Sequence, residues 1–198
     1  MDIGVQLYTV RDALRDDFNG TLAEISRMGM EFVELAGLHG RDAEEVRSVL
    51  DGFGLKAPSM HGEIKFQEEN LGVPSLVAEA KVLGCRYVVL PWISIKDWEG
   101  RWEVVSAALD RAGAMLAAEG LRFCYHNHDF EFRPDANGVL PWEELDRGTT
   151  APHLGYEMDT YWVAFAGFNV PDTLTKYQSR LDLAHLKDGT LGETVKHL

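Results

Sequence analysis

Imidazole and carboxylate side chains recur in the second half of the sequence in a pattern that suits a divalent metal. Imidazole nitrogen and carboxylate oxygen are ligands of Mn²⁺, Co²⁺, Zn²⁺ and Fe²⁺. Positions left open on such a metal would admit the adjacent oxygens of a sugar. The residues in question are His126, His128, Glu131, Glu157, Asp159, His185 and Lys187.

The elements that must position these residues follow a strand-then-helix rhythm. Amphipathic stretches end at Gly29, Gly54, Gly84 and Gly120, and a β-rich run begins one to three residues after each glycine. A glycine in this place is typical of a helix C-cap. The longest predicted helix spans 102–118, and a shorter one spans 171–180. Seven strands are predicted, at 3–10, 32–37, 55–61, 87–92, 121–128, 154–162 and 181–188.

Strict alternation of strands and helices implies a parallel sheet covered by helices, either a closed barrel or an open doubly wound sheet. No glycine-rich phosphate fingerprint follows the first strand, where a dinucleotide fold would carry it. Polar residues instead follow the strand ends, where a barrel places its active site. We therefore expect an α/β fold, a TIM (β/α)8-type barrel in one domain over 1–198. We also expect the barrel to be truncated after strand 7, since no eighth strand is predicted.

Alternation along the strands shows which of these side chains share a face, and so which could act together. His126 and His128 share one face of strand 5, as do Glu157 and Asp159 on strand 6 and His185 and Lys187 on strand 7. The expected metal ligands are His126, Asp159 and His185, with Glu131 as the alternative to His126. The candidate bases are His128, Glu131 and Glu157, and Lys187 would polarise a substrate oxygen. Substrate-binding candidates are Glu34 on strand 2, His61 on strand 3, Trp92 and Trp162.

Each of these residues also has a purely structural interpretation. A histidine at a strand end is often only hydrogen-bonded, and His128 could be held in this way by Asp129 or Glu131. Glu157 could be the buried partner of an arginine. The tryptophans could belong to the core and its rim.

Composition limits the partners. The net charge is −13, from 32 acidic and 19 basic residues. Without a basic cluster, the surface is unsuited to nucleic acid or an anionic membrane. The two cysteines form no metal-ligand spacing and no disulfide framework, and we expect a reducing, cytoplasmic setting. No apolar stretch is long enough to span a membrane.

Five segments in order along the chain resemble the sugar phosphate isomerase/epimerase family, which is related to inosose dehydratases and ketose 3-epimerases. They are GVQLYTVR (4–11), VELAG (33–37), YHNHDFEF (125–132), MDTYW (158–162) and HLKDGT (185–190). The resemblance implies a xylose-isomerase-like TIM barrel. It also implies one divalent metal at the mouth of the barrel, whether Mn, Co, Zn, Fe or Mg.

The resemblance further implies a ligand set of glutamate, aspartate, histidine and glutamate on strands 5 to 8. Asp159 and His185 match the middle two ligands. His126 stands where many relatives have the first glutamate, and the last glutamate has no counterpart in this sequence. In the sugar epimerases of the family those two glutamates are also the acid/base pair. The resemblance therefore favours the metal site and disfavours two-base epimerisation.

The sequence thus predicts a metal-dependent isomerase, epimerase or lyase acting on a sugar, keto-sugar or cyclitol through an enediolate. A single base, with His128 as the candidate, favours isomerisation or elimination. The alternative is a non-catalytic or incomplete barrel, or a binding module, in which strand edges exposed by a missing strand would favour a homodimer. Continuation of the gene past Leu198 into a strand ending in glutamate would decide for the enzyme. An abasic-site endonuclease on the same fold is disfavoured by the acidic charge.

Overall fold

A computed structural model of the chain describes residues 2–187 and Gly189. The chain divides into two compact units, one formed by residues 1–89 and 119–121 and the other by residues 90–118 and 122–198. The single domain over 1–198 stays a prediction. The ends of the predicted seventh strand and of the HLKDGT segment, at Asp188 and Thr190, lie outside the described residues.

The first unit is a parallel series of four strands in chain order. The register sets Gln6 opposite Glu34 and Glu34 opposite Ser59. Paired residues of neighbouring strands point to the same face, so these three side chains lie side by side. The elements are β1 (Gly4–Gln6), α1 (Arg11–Asp16), α2 (Phe18–Arg27), β2 (Phe32–Leu35), α3 (Ala43–Gly52), β3 (Lys56–His61), α4 (Val73–Leu83) and β4 (Tyr87–Leu90).

Helix ends in this unit follow from the local sequence. A capping box begins α3, in which the Asp42 side chain accepts from the Glu45 N–H and the Glu45 side chain accepts from the Asp42 N–H. Gly84 ends α4 in the left-handed conformation with φ of 76°. The prediction that a glycine ends this helix is confirmed. Only glycine adopts the left-handed conformation without strain.

Within its described residues, the second unit holds three parallel strands and five α-helices. Tyr125 is opposite Tyr156, and Asp159 is opposite His185. The elements are α5 (Ile95–Trp98), α6 (Trp102–Ala118), β5 (Arg122–His126), α7 (Pro141–Gly148), β6 (Gly155–Asp159), α8 (Thr160–Phe165), α9 (Val170–Tyr177) and β7 (Leu181–His185).

An aromatic cluster centred on Trp142 packs α7 against the strands. The Trp142 ring lies 5.0 Å from Phe132, 4.6 Å from Tyr156 and 5.6 Å from Tyr177, measured between centroids. The buried Arg180 guanidinium donates to the Leu154 carbonyl and to the Thr149 hydroxyl. These contacts fix the positions at which β6 and β7 begin. They thereby also fix where the ends of the two strands lie relative to each other.

The seven predicted strands are present, but each is shorter than the sequence predicted, and strands 1 and 6 differ most. Strand 1 ends at Gln6, whose side chain accepts the Tyr8 N–H at 2.6 Å and starts a 3-10 turn over Leu7–Val10. Strand 6 ends at Asp159, whose side chain accepts the Trp162 N–H at 3.1 Å and starts α8. Trp162 therefore lies on a helix, and the prediction that it ends a strand is wrong. Among the described residues, no helix combines the length and the apolar character needed to cross a membrane.

Candidate active site and metal centre

Strand register gathers four ionisable side chains on one face of β5, β6 and β7. His126 is opposite Glu157, and Asp159 is opposite His185. Glu157 and Asp159 are two residues apart on β6 and share a face. The four side chains therefore converge, as the alternation in the sequence predicts.

Three of these residues offer atoms in the arrangement that a metal requires. His126, Asp159 and His185 each present a ligand atom, and all three atoms lie within 4.8 Å of one another. Ligand atoms that share a metal at about 2.1 Å are at most about 4 Å apart, so a bound ion needs these atoms to approach by about 1 Å. The two nitrogens and one oxygen suit a first-row divalent metal. The described residues thus fit the metal that the sequence predicts.

Glu157 lies between the two imidazole rings and is only 1% exposed. Its Oε2 is 3.2 Å from His126 Nδ1 and 3.3 Å from His185 Nε2. A carboxylate beside a ligand histidine stabilises a proton on the near nitrogen. On His126 this leaves Nε2, which lies 3.8 Å from the Asp159 carboxylate, as the nitrogen for a metal.

The two carboxylate oxygens of Asp159 make different contacts. Oδ1 accepts the Trp162 N–H and caps α8, while Oδ2 faces His126. Burial raises the pKa of Asp159, and the Trp162 N–H and the charges of His185 and Lys187 partly offset this rise. A cation bound beside Asp159 would favour the ionised carboxylate.

Asn127 positions Asp159, and the sequence reasoning did not assign it a role. It is fully buried, its Oδ1 accepts the Asp159 N–H at 2.8 Å and its Nδ2 donates to the Asp159 carbonyl at 3.2 Å. This pair of hydrogen bonds ties the end of β5 to the end of β6. A polar amide between two histidines at a strand end is the signal that could have revealed it.

His128, Trp162 and Lys187 lie beside the cluster. The His128 ring is 5.1 Å from the His126 ring and 5.3 Å from the Trp162 ring. Lys187 Nζ lies 4.7 Å from the Trp162 ring centroid, which is a cation–π contact. The structure therefore brings together seven of the predicted site residues in this unit, counting the three ligand candidates and Glu157.

Glu131 is not among them. It is fully buried, and its carboxylate accepts the Tyr125 O–H at 2.5 Å and the His128 N–H at 2.8 Å. Tyr125 packs on Trp142, on the side of β5 opposite to His126. Burial raises the pKa of Glu131 to about 8, so the group is neutral at physiological pH. This arrangement suits a structural carboxyl group rather than a base or a ligand.

The first unit holds a second polar cluster, which includes Glu34 and His61. The Ser59 hydroxyl donates to Glu34 Oε2 at 2.6 Å, and His61 Nε2 lies 3.1 Å from Glu34 Oε1. Gln6 Nε2 lies 3.3 Å from the same His61 nitrogen. Trp92, the other predicted substrate contact, follows β4 by two residues and is 54% exposed.

Comparison with known proteins places this geometry in a family. The sequence model of the family described as "Xylose isomerase-like TIM barrel" matches residues 22–197. The chain belongs to this family. The predicted family and barrel fold are thereby confirmed, and the open doubly wound sheet is excluded.

Among curated proteins, the chain is 24% identical over 192 residues to an inosose dehydratase of Geobacillus kaustophilus. That match covers 84% of this chain and 60% of the relative, so the chain spans less than two thirds of that relative's length. A shorter match of 93 residues, at 31% identity, is to an inosose dehydratase of Clostridium botulinum, covering 46% of this chain and 29% of that protein.

Among solved structures, a sugar phosphate isomerase/epimerase from Parabacteroides distasonis matches with a TM-score of 0.83 at 23% identity. That match covers 98% of this chain and 81% of the other. At this level of identity, the likeness shows the fold.

Proposed function

We propose that this protein is a metal-dependent enzyme that acts on a keto-cyclitol or keto-sugar, with elimination of water as the favoured reaction. The observation that carries the proposal is the convergence of His126, Asp159 and His185, with ligand atoms within 4.8 Å. The similarity to inosose dehydratases supports a keto-cyclitol as the substrate class.

His126, Asp159 and His185 would hold the metal. When bound, the metal would act as a Lewis acid that polarises the substrate carbonyl and acidifies the adjacent carbon. Glu157 lies close to one nitrogen of each imidazole ring, and Asn127 fixes the backbone of Asp159.

His128 is the proposed base. A neutral imidazole can take the proton beside the carbonyl, giving the enediolate. The ring is half-buried between His126 and Trp162, which limits the water that reaches it. Lys187, above the Trp162 ring, is the proposed partner of a substrate oxygen.

Elimination is preferred over epimerisation because, among the described residues of the cluster, His128 is the proposed base and Glu157 lies between the two ligand imidazoles. Epimerisation needs an acid/base group on each face of the carbon, whereas removal of one proton and loss of a neighbouring hydroxyl group needs one base. Histidine at position 126 replaces the glutamate of the family pattern, and Glu131 lies on the opposite side of β5.

The test is incubation of the metal-loaded protein with a 2-keto-cyclitol in deuterated water. We expect deuterium at the carbon beside the carbonyl and the loss of one water, both followed by NMR. Asp159→Asn should abolish both, because asparagine keeps the cap of α8 but removes the charge. Asp16→Asn, at an exposed residue of α1, is the matched control and should retain both. The absence of exchange in the wild-type protein loaded with each of Mn²⁺, Co²⁺ and Zn²⁺ would overturn the proposal.

A further inference from the structure

A cavity of about 270 Å³ lies within the second unit, and the mechanism proposed above does not use it. Its wall is formed by the turn over Phe130–Phe132, by α7, by Phe168 and by α9. Among the described residues that line it, none belongs to the metal cluster. The volume is below the roughly 300–1,000 Å³ of sites for drug-sized ligands, so it suits a molecule with a single ring.

Aromatic side chains form much of the cavity wall. The Phe132 ring stacks on the Trp142 ring at 5.0 Å between centroids, with 22° between the planes. Tyr177 meets Trp142 edge to face at 5.6 Å. Phe168 lies 5.3 Å from Phe132 and is 43% exposed, so it forms the outer part of the wall. Such a wall favours a further aromatic ring, which can pack against it by stacking or edge to face.

Trp142 also brings a hydrogen-bond donor to the cavity wall. The residue is 1% exposed, and its Nε1 atom is buried without an acceptor among the described residues. The hydroxyl groups of two neighbouring rings are engaged elsewhere, since Tyr156 donates to Asp146 at 2.6 Å and Tyr125 donates to Glu131 at 2.5 Å. An indole nitrogen can only donate. Because a buried donor without an acceptor is rare in proteins, this N–H indicates a partner that supplies an oxygen.

The charges around the cavity disfavour an anionic ligand. Lys176 Nζ lies 3.4 Å from Glu143 Oε1, so these two charges offset each other. The exposed Asp172 adds a negative charge. Burial raises the pKa of Glu131 to about 8, so this group adds no charge at neutral pH. The lining residues therefore carry one net negative charge, which repels an anion and tolerates a neutral molecule.

We propose that this cavity is a binding site for a small, neutral, single-ring aromatic molecule with a carbonyl oxygen that accepts the Trp142 N–H. The ring packs among the aromatic side chains, and the oxygen satisfies the buried donor. Glu131 lines the same cavity and accepts the His128 N–H at 2.8 Å, so a bound molecule also changes the surroundings of that amide. The site lies within one unit and does not depend on the proposed function.

The first test is a titration of the wild-type protein with acetophenone, followed by ¹H–¹⁵N NMR. Trp142→Phe assigns one indole N–H signal among those of the five tryptophans. We expect this signal to move downfield and to saturate, because a new hydrogen bond forms. The His128 amide signal should move with the same midpoint. An unchanged Trp142 indole signal up to the solubility limit of acetophenone would overturn the proposal.

The second test compares three ligands that differ in one property each. Toluene has the ring without the oxygen, and benzoate has the ring with a charged carboxylate. Acetophenone should bind more tightly than benzoate. Trp142→Phe should raise the Kd of acetophenone about fivefold, because one neutral hydrogen bond is lost, and should leave the Kd of toluene unchanged. Tighter binding of benzoate, or the same ratio of Kd values for acetophenone and toluene in both proteins, would contradict the assignment.

A third variant locates the site without a change in the core. Phe168→Ala removes a half-exposed part of the wall and should raise the Kd of both acetophenone and toluene at least about threefold. Val104→Ala, at an exposed apolar residue of α6 outside the cavity, is the matched control and should leave both Kd values unchanged. Equal Kd values in Phe168→Ala and the wild type would show that the ligands bind elsewhere.

Discussion

Replacement of Glu131 by glutamine should make the protein more stable at alkaline pH. Glu131 is fully buried, and burial raises its pKa from 4.5 to about 8, against the opposing effects of hydrogen bonds from Tyr125 and the His128 N–H. A glutamine fits the same space. Its oxygen can accept the His128 N–H while its NH₂ group donates to the Tyr125 oxygen.

The magnitude follows from the two pKa values. The unfolded chain releases this proton near pH 4.5, whereas the folded chain holds it up to about pH 8. Because only the folded chain keeps the proton between these values, its free energy of unfolding falls as pH rises through this window and levels off above it. At about 1.4 kcal/mol per pKa unit, the whole effect is about 5 kcal/mol.

The assay is urea denaturation between pH 5 and pH 9, followed by the fluorescence of tryptophan. Other groups titrate in both proteins, so the informative quantity is the difference in unfolding free energy between Glu131→Gln and the wild type. That difference should grow in favour of the variant by about 3–4 kcal/mol across the range. Glu143→Gln, at an exposed position of α7, should show no such trend.

Parallel stability profiles for Glu131→Gln and the wild type would refute the reasoning, because they would mean that Glu131 is ionised in the folded protein. A loss of bound metal in Glu131→Gln would contradict it in another way, by restoring Glu131 to the ligand set.

Three further predictions concern the site and its support. Asn127→Ala should lower the free energy of unfolding by about 2–3 kcal/mol in urea denaturation, because two buried hydrogen bonds to the end of β6 are lost. His128→Ala should lower deuterium exchange into the keto-cyclitol by at least about 100-fold. If the protein instead epimerises a keto-sugar efficiently at C3 with deuterium uptake, and His128→Ala has no effect, both the proposed reaction and the proposed base are wrong. Gly113→Ala should destabilise by more than about 3 kcal/mol, since its Cβ would lie 1.9 Å from the His153 carbonyl oxygen, whereas Gly52→Ala has open space and should stabilise by about 0.5–1 kcal/mol on thermal melting.

The order of the elements could be predicted from the sequence because glycine marks where helices end. Gly54, Gly84 and Gly120 have φ between 68° and 78°, in the region that L side chains rarely adopt. The helix Trp102–Ala118 has the predicted bounds. Periodicity and end signals of this kind are local, so they survive without knowledge of the tertiary structure.

The ends of the strands could not be predicted, because a side chain that caps a helix is also common at a strand end. The sequence pattern predicts that Asp159 lies within a strand that continues to Tyr161 and Trp162, yet the Asp159 carboxylate ends the strand by capping α8. The direction of the Glu131 side chain could not be predicted either, because β5 ends before this residue. A 3-10 turn over Phe130–Phe132 follows β5, and alternation along the strand no longer applies there.

The convergence of His126, Asp159 and His185 could be predicted because neighbouring parallel strands end at the same edge of the sheet. The alternation of side chains then places the three residues on one face. The contacts that Glu157 and Asn127 make with these residues could not be predicted. Each contact depends on which atom of the side chain lies next to which atom of its neighbour. Sequence pattern determines the face of a side chain, whereas a hydrogen-bond partner is determined by the three-dimensional structure.

The most direct test of the proposed function is the metal content of the protein after purification without chelator and dialysis against Mn²⁺, Co²⁺ or Zn²⁺. We expect one equivalent of metal in the wild-type protein and in Asp16→Asn. We expect an affinity at least about 10- to 100-fold weaker in Asp159→Asn and His185→Gln. Equal metal content in all four proteins would contradict the assignment of the site, and so would the absence of metal from the wild-type protein.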